Sequence, residues 1–146
     1  ELTLRLHHAA HGRVDRHDEA LHVHSPCHER AGIVRLLEIW YRNEAQTYMA
    51  GRLALLAEKT GLYPKRITIR GQKTCWGSCS ARGTISLNWR LMLAPAVLVD
   101  YVLTHELCHL RHLNHSAAFW DLVEGLDPDC HAHRVALRRL QPSLVL

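Results

Sequence analysis

The sequence predicts an α+β fold, with a small antiparallel or mixed sheet packed on a long N-terminal helix and on a second, buried helix, and further helices toward the C-terminus. Three observations predict it. Apolar and polar residues alternate with period two at residues 2–8 and 19–25, and again in short runs between residues 66 and 89. The period changes to that of a helix over residues 29–60. Residues 95–112 are apolar on almost every side, which marks a helix enclosed by the rest of the protein.

Taken in order, "LTLRLHH" and "EALHVHS" read as the two strands of a hairpin over residues 1–26, with "HGRVDRHD" as the turn and Pro26 as the stop. In the first helix Ile33, Leu36, Leu37 and Trp40 make one apolar stripe, and Leu53, Leu55 and Leu56 continue one further on. Gly61 stands where a helix C-terminus favours a left-handed residue, with Pro64 beyond it. "RITIR", "KTCWGSC" and "TISLNW" are strand candidates, separated by Gly71 and by the turn segment "SARG". Pro95 suits the first turn of the buried helix, expected to run to about His112. Ser116 can cap the next helix, with Phe119, Leu122, Val123 and Leu126 on its inner side. Asp127-Pro128 opens a final helix ending near Leu140. No repeat or linker divides the 146 residues, so a single domain is expected, with its core over residues 29–140.

Composition excludes several classes. At 47% hydrophobic and 22% charged, the chain has no run of about 20 apolar residues and is not expected to enter a membrane. The net charge is +4, but the 18 basic residues are scattered. Arg134, Arg138 and Arg139 lie at helical spacing and read as a solvated face, so nucleic-acid association has no supporting patch. Five cysteines is an odd count, and no secretory signal opens the sequence; both favour a reducing, cytoplasmic setting. Cys75 and Cys79 read as small, half-buried strand residues, and Cys108 as core. Of 13 histidines, His22 and His24 would share one strand face, where adventitious metal affinity is the most they imply.

The buried helix poses the chemical question. His105, Glu106 and His109 sit inside it, and burying a carboxylate and two imidazoles without partners would cost several kcal/mol. Side chains four apart leave a helix on one face, one above the other. His105 and His109 can therefore reach one cation at about 2.0–2.1 Å. Glu106 projects beside them in the H-E-x-x-H arrangement, whose chemistry is water activated by zinc with the glutamate as general base. A third ligand is needed. His112 would lie a turn too far along a rigid helix, and Asp121 and Glu124 fall opposite the inner stripe of the next one. His115 follows His109 by six positions, just where the chain must turn, and Asn114 tolerates the left-handed conformation that a turn there would need. Three histidines leave one coordination position open, the catalytic rather than the structural pattern.

"KTCWGSCSARGTISLNWRLMLAP" followed by "VDYVLTHELCHLRHLNHSAAFW" resembles the YgjP-like zinc metallopeptidases, relatives of the SprT-like and WLM proteases among the zincins. The order W-G-S-C, L-N-W, H-E-L-x-H, N-H-S-x-x-F-W carries the resemblance, which extends over residues 33–140. It implies a zincin-like fold, one Zn2+ per chain held by His105, His109 and His115, Glu106 as base, and a peptide or protein as substrate. It also implies that the strand with Trp76, Gly77 and Ser78 lies beside the active-site helix. Members usually carry a basic residue where this chain has Cys75, and their N-terminal part is longer than residues 1–26.

An extended substrate would add to a sheet edge, and residues 74–79 are the candidate. Gly77 would permit close backbone approach there, while Trp76 is either a cleft wall or a core aromatic. Tyr101, one turn before His105 on the same face, is either a candidate for stabilising the oxyanion or a core residue.

Overall fold

The computed structural model describes residues 2–140. Backbone contacts gather these residues into two units, one running through Asn43 and the other starting at Glu44. The first holds three strands: β1 (Thr3–His8), β2 (Arg13–His17) and β3 (Ala20–Ser25). Their order is β1-β3-β2, with β1 parallel to β3 and β2 antiparallel to it. The expected hairpin of residues 2–8 with 19–25 is therefore corrected. Those two runs pair in parallel, and the segment taken as their turn supplies a strand of its own. The actual hairpin is β2–β3, closed by Asp18 at φ 52°, a left-handed conformation that Asp adopts more readily than most residues. β2 escaped notice because Val14 is its one aliphatic residue, so no alternation marks it. Gly12 lies against Leu36, where a Cβ would come within 2.8 Å of Leu36 Cδ2. Leu21, Val23, Ile33 and Leu37 are buried in this unit.

The helix α1 (Arg30–Thr60) ends as expected, at Gly61 with φ 71°, whose N–H donates to the Ala57 carbonyl at 2.8 Å. The boundary between the units falls within α1.

The second unit holds β4 (Arg66–Arg70), β5 (Gly77–Cys79) and β6 (Thr84–Asn88), followed by α2 (Ala96–His109), α3 (Ala117–Leu126) and α4 (Cys130–Leu140). Its sheet is mixed, as predicted: the order is β4-β6-β5, β4 is parallel to β6, and β5 is antiparallel to it. β5 thus forms one edge. Only Gly77–Cys79 of the expected "KTCWGSC" strand is extended, and "TISLNW" stops at Asn88. Trp89–Leu93 then forms a 3-10 turn, because the Asn88 side chain accepts from the Arg90 N–H and caps it. Ile85, Leu87, Trp89 and Leu91 are sealed in the core, together with Leu98, Val99, Leu103 and Leu107 from α2.

α2 packs against β5, α3 and α4, which leaves it the enclosed helix that its sequence requires. Arg52 of α1 grips Asp100 of α2 with two bonds of 2.7 Å, a bidentate geometry that fixes orientation as well as charge. Pro95 sits at the N-cap of α2 rather than inside its first turn. The Ser116 hydroxyl caps α3 by accepting from the Phe119 N–H, as expected. α4 begins at Cys130, after a turn in which the Asp127 carboxylate accepts from the Asp129 N–H. Among the described residues no helix is long and apolar enough to cross a membrane.

Candidate metal centre

α2 stops at His109, one turn short of the expected His112. Its last turn tightens, with the Leu110 N–H donating to Leu107 and those of Arg111 and His112 donating to Cys108. The chain therefore starts to turn earlier than predicted, and six residues separate α2 from the Ser116 cap's own position. That room removes the need for a left-handed residue. Asn114 does not have positive φ, a correction to the expected turn, and Asp18 is the non-glycine residue with that conformation among those described.

The turn brings His115 back over α2. His115 Nε2 lies 3.1 Å from His109 Nε2 and 3.2 Å from His105 Nε2, and ligand atoms of the three residues fall within 4.8 Å of one another. Aromatic rings hold them. Phe119 stacks on His109 at 4.3 Å between centroids, and Trp120 stacks on His115 at 5.8 Å. His109 Nδ1–H donates to the His112 carbonyl at 2.9 Å, which fixes the tautomer that leaves Nε2 free as a ligand. His112 thus serves through its backbone. Burial, helped by His109 and His115, pushes His105 down to about 3, and burial also lowers His115. Neutral imidazoles are the ligand form. Ring nitrogens of three histidines drawn within 4.8 Å of one another fit a divalent cation between them. The donor set is that of a three-histidine zinc site with an open position. Asp121 and Glu124 are exposed and outside this group, and the half-buried His22 and His24 are outside it too. His22 instead lies 2.8 Å from His7 through their ring nitrogens.

Glu106 is 5% exposed, and its Oε2 is buried without a hydrogen-bond partner among the described residues. Burial pushes its carboxyl up to about 7. β5 runs past it: a Cβ on Gly77 would stand 3.1 Å from Glu106 Cγ and 3.2 Å from Oε1. The close approach expected at Gly77 is thus made to the carboxylate itself. Gly77→Ala should displace Glu106 and lower peptide-cleavage kcat about tenfold while zinc content stays constant; unchanged kcat would show that the carboxylate position does not matter.

A cleft of about 590 Å³ opens between these elements, lined by Trp76, Gly77, Tyr101, His105, Glu106 and Arg134 among others. Trp76 is half-buried and faces it, so the ring is a cleft wall rather than a core aromatic. Tyr101 lines it too, 5.9 Å from the His105 ring, with burial pushing the phenol up to about 12. Ser78 is exposed and does not line the cleft, because strand alternation turns its side chain away from the face that holds Gly77 and Cys79.

Two features were not foreseen. Asn88, 2% exposed, donates through Nδ2 to the carbonyls of Gln72 and Cys75, and its N–H donates to the Trp76 carbonyl at 2.8 Å. One side chain thus pins the loop that carries the cleft wall. Its place in "L-N-W", where a polar residue interrupts a buried strand end, is the signal that could have found it. Arg134 and Arg138 also line the cleft, which corrects the expectation of a purely solvated helix face. Arg134 is half-buried, with its guanidinium carbon 4.8 Å over the Trp120 ring.

A helix carrying H-E-x-x-H, a third histidine returned by the following turn and a mixed sheet whose edge strand borders the cleft together define a metallopeptidase of the zincin kind. The family described as YgjP-like, metallopeptidase domain, matches residues 1–140, and the chain belongs to that family. The match takes in the N-terminal strands, beyond the span over which the motifs alone show the resemblance. Among solved structures, the chain is similar to the metallopeptidase zymogen abylysin of Pyrococcus abyssi, at 27% identity and TM-score 0.54, over 63% of this chain and 91% of that one. It also shares its fold with the metallopeptidase zymogen jannalysin of Methanocaldococcus jannaschii, at 18% identity and TM-score 0.54, over 62% and 94% of the two chains. A comparison with curated proteins gives no match.

Proposed function

We propose that the chain hydrolyses peptide bonds with one Zn2+ held by His105, His109 and His115, with Glu106 as general base. The observation that carries this reading is the convergence of three imidazole Nε2 atoms, together with a buried Glu106 oxygen that no group among the described residues satisfies. When bound, zinc supplies Lewis acidity, polarising a carbonyl and making nearby water acidic near neutrality. Glu106, at about 7, is poised to take a proton from that water and return it to the departing amine. Tyr101, protonated up to about pH 12, can donate its hydroxyl hydrogen toward the carbonyl oxygen as charge develops there. The substrate would lie extended along the β5 edge, with Trp76 packing against its side chains. We propose further that residues 1–146 act as one metallopeptidase domain, since the family match crosses both contact units.

Chelation tests the metal. Dialysis against a strong chelator should abolish cleavage of an unstructured protein such as casein, and one equivalent of Zn2+ per chain should restore it. Cleavage that persists at a metal content below one tenth of an equivalent would defeat the reading.

A further inference from the structure

We propose that Arg134, flanked by Arg138 and Lys73, forms a carboxylate-binding subsite of this cleft, so that the preferred peptides carry an acidic side chain or a free C-terminus next to the cleaved bond. The inference rests on the peptidase reading and adds a substrate class to it. Three cations, Lys73, Arg134 and Arg138, line the cleft, against the single carboxylate of Glu106. Low-dielectric walls focus such a field onto whatever enters. Arg134 and Arg138 are four apart on α4 and project from the same face.

Arg134 is also held in place. Its guanidinium lies over Trp120, and Trp120 stacks on His115. A chain of two ring contacts thus sets the guanidinium relative to a metal ligand. Stacking on an aromatic face leaves the in-plane N–H groups free, and that planar fork matches a carboxylate. No carboxylate inside the described residues makes an ion pair with it. The nearby Asp127 is engaged by His133 Nδ1 at 2.7 Å. A neutral peptide filling the cleft would cover a half-buried guanidinium without pairing it, whereas a carboxylate would pair it with two charge-assisted bonds.

The test uses fluorogenic peptides in matched pairs, Glu against Gln at each position around the cleaved bond, and free acid against amide at the C-terminus. The zinc-loaded full chain should show kcat/KM about tenfold higher for the carboxylate member of at least one pair, expressed in KM, as one ion-pair-strength contact gives. The pair that responds identifies the source of the carboxylate. Arg134→Gln should bring that ratio close to one, and Arg134→Lys should keep part of it, with zinc content showing that both variants fold. Ratios near one for every pair, or a ratio unchanged by Arg134→Gln, would overturn the subsite while leaving the peptidase standing. Fluorescence anisotropy with the same labelled peptides on zinc-loaded Glu106→Gln separates the two readings. If no peptide is cleaved by the unmodified chain, yet the carboxylate peptide binds about tenfold tighter and loses that margin with Arg134→Gln, the subsite holds and the peptidase reading falls.

Discussion

Glu106→Gln should keep about one zinc per chain and lose roughly a thousandfold in kcat, the middle of the range for a positioned general base. The amide has nearly the same shape and volume, so it would still fit beside Gly77, where a Cβ would come within 3.1 Å of Glu106 Cγ. Proton acceptance is what it lacks. The imidazole ligands are untouched, since their contacts run to Phe119, Trp120 and the His112 carbonyl rather than to Glu106. Metal content by elemental analysis and single-turnover peptide cleavage measure the two quantities separately. A variant with full zinc and full activity would remove Glu106 from the chemistry, and one that lost its zinc would make the residue a structural support instead.

The histidine cluster was legible because its signals are short-range. Helical spacing alone puts His105 and His109 on one face, and the unbroken apolar character of α2 makes their burial, and hence their need for a cation, readable without coordinates. His115 required only a turn of the right length. The manner of turning was less legible: whether a helix ends at 109 or 112 depends on 3-10 bonds in its last turn, which no residue type there announces. Long-range pairings escaped for a related reason. β1 and β3 alternate clearly, yet alternation says nothing about direction, and β2 with its one aliphatic residue carries too little pattern to reveal that it lies between them in sequence but outside them in the sheet. Arg134 is the instructive case at the site. On α4 it looks like any solvated arginine, and only the tertiary placement of Trp120 converts it into a wall of the cleft.

In the metal-free chain, Glu106→Gln should gain stability relative to the unsubstituted protein as the pH rises, by on the order of 3 kcal/mol between pH 4.5 and pH 8. Burial raises the Glu106 carboxyl from 4.5 in the unfolded reference to about 7 in the fold. The folded state therefore holds that proton more tightly, and the stability linked to it is complete below about 4.5 and lost as the pH climbs through about 7. Glutamine has no proton to lose and escapes the penalty. His105 works in the opposite direction: its folded value lies at about 3, below the unfolded 6.5, so its contribution is present above 6.5 and fades as the pH falls. Both proteins carry His105, so the difference between their denaturant midpoints isolates the carboxylate. Zinc should then close most of the gap at pH 8, because a nearby cation favours the charged carboxylate that burial alone disfavours. A gap independent of pH would mean that Glu106 is solvated when the metal is absent. A gap that widens with zinc would mean that the carboxylate and the ion do not share a site, and the general-base role would go with it.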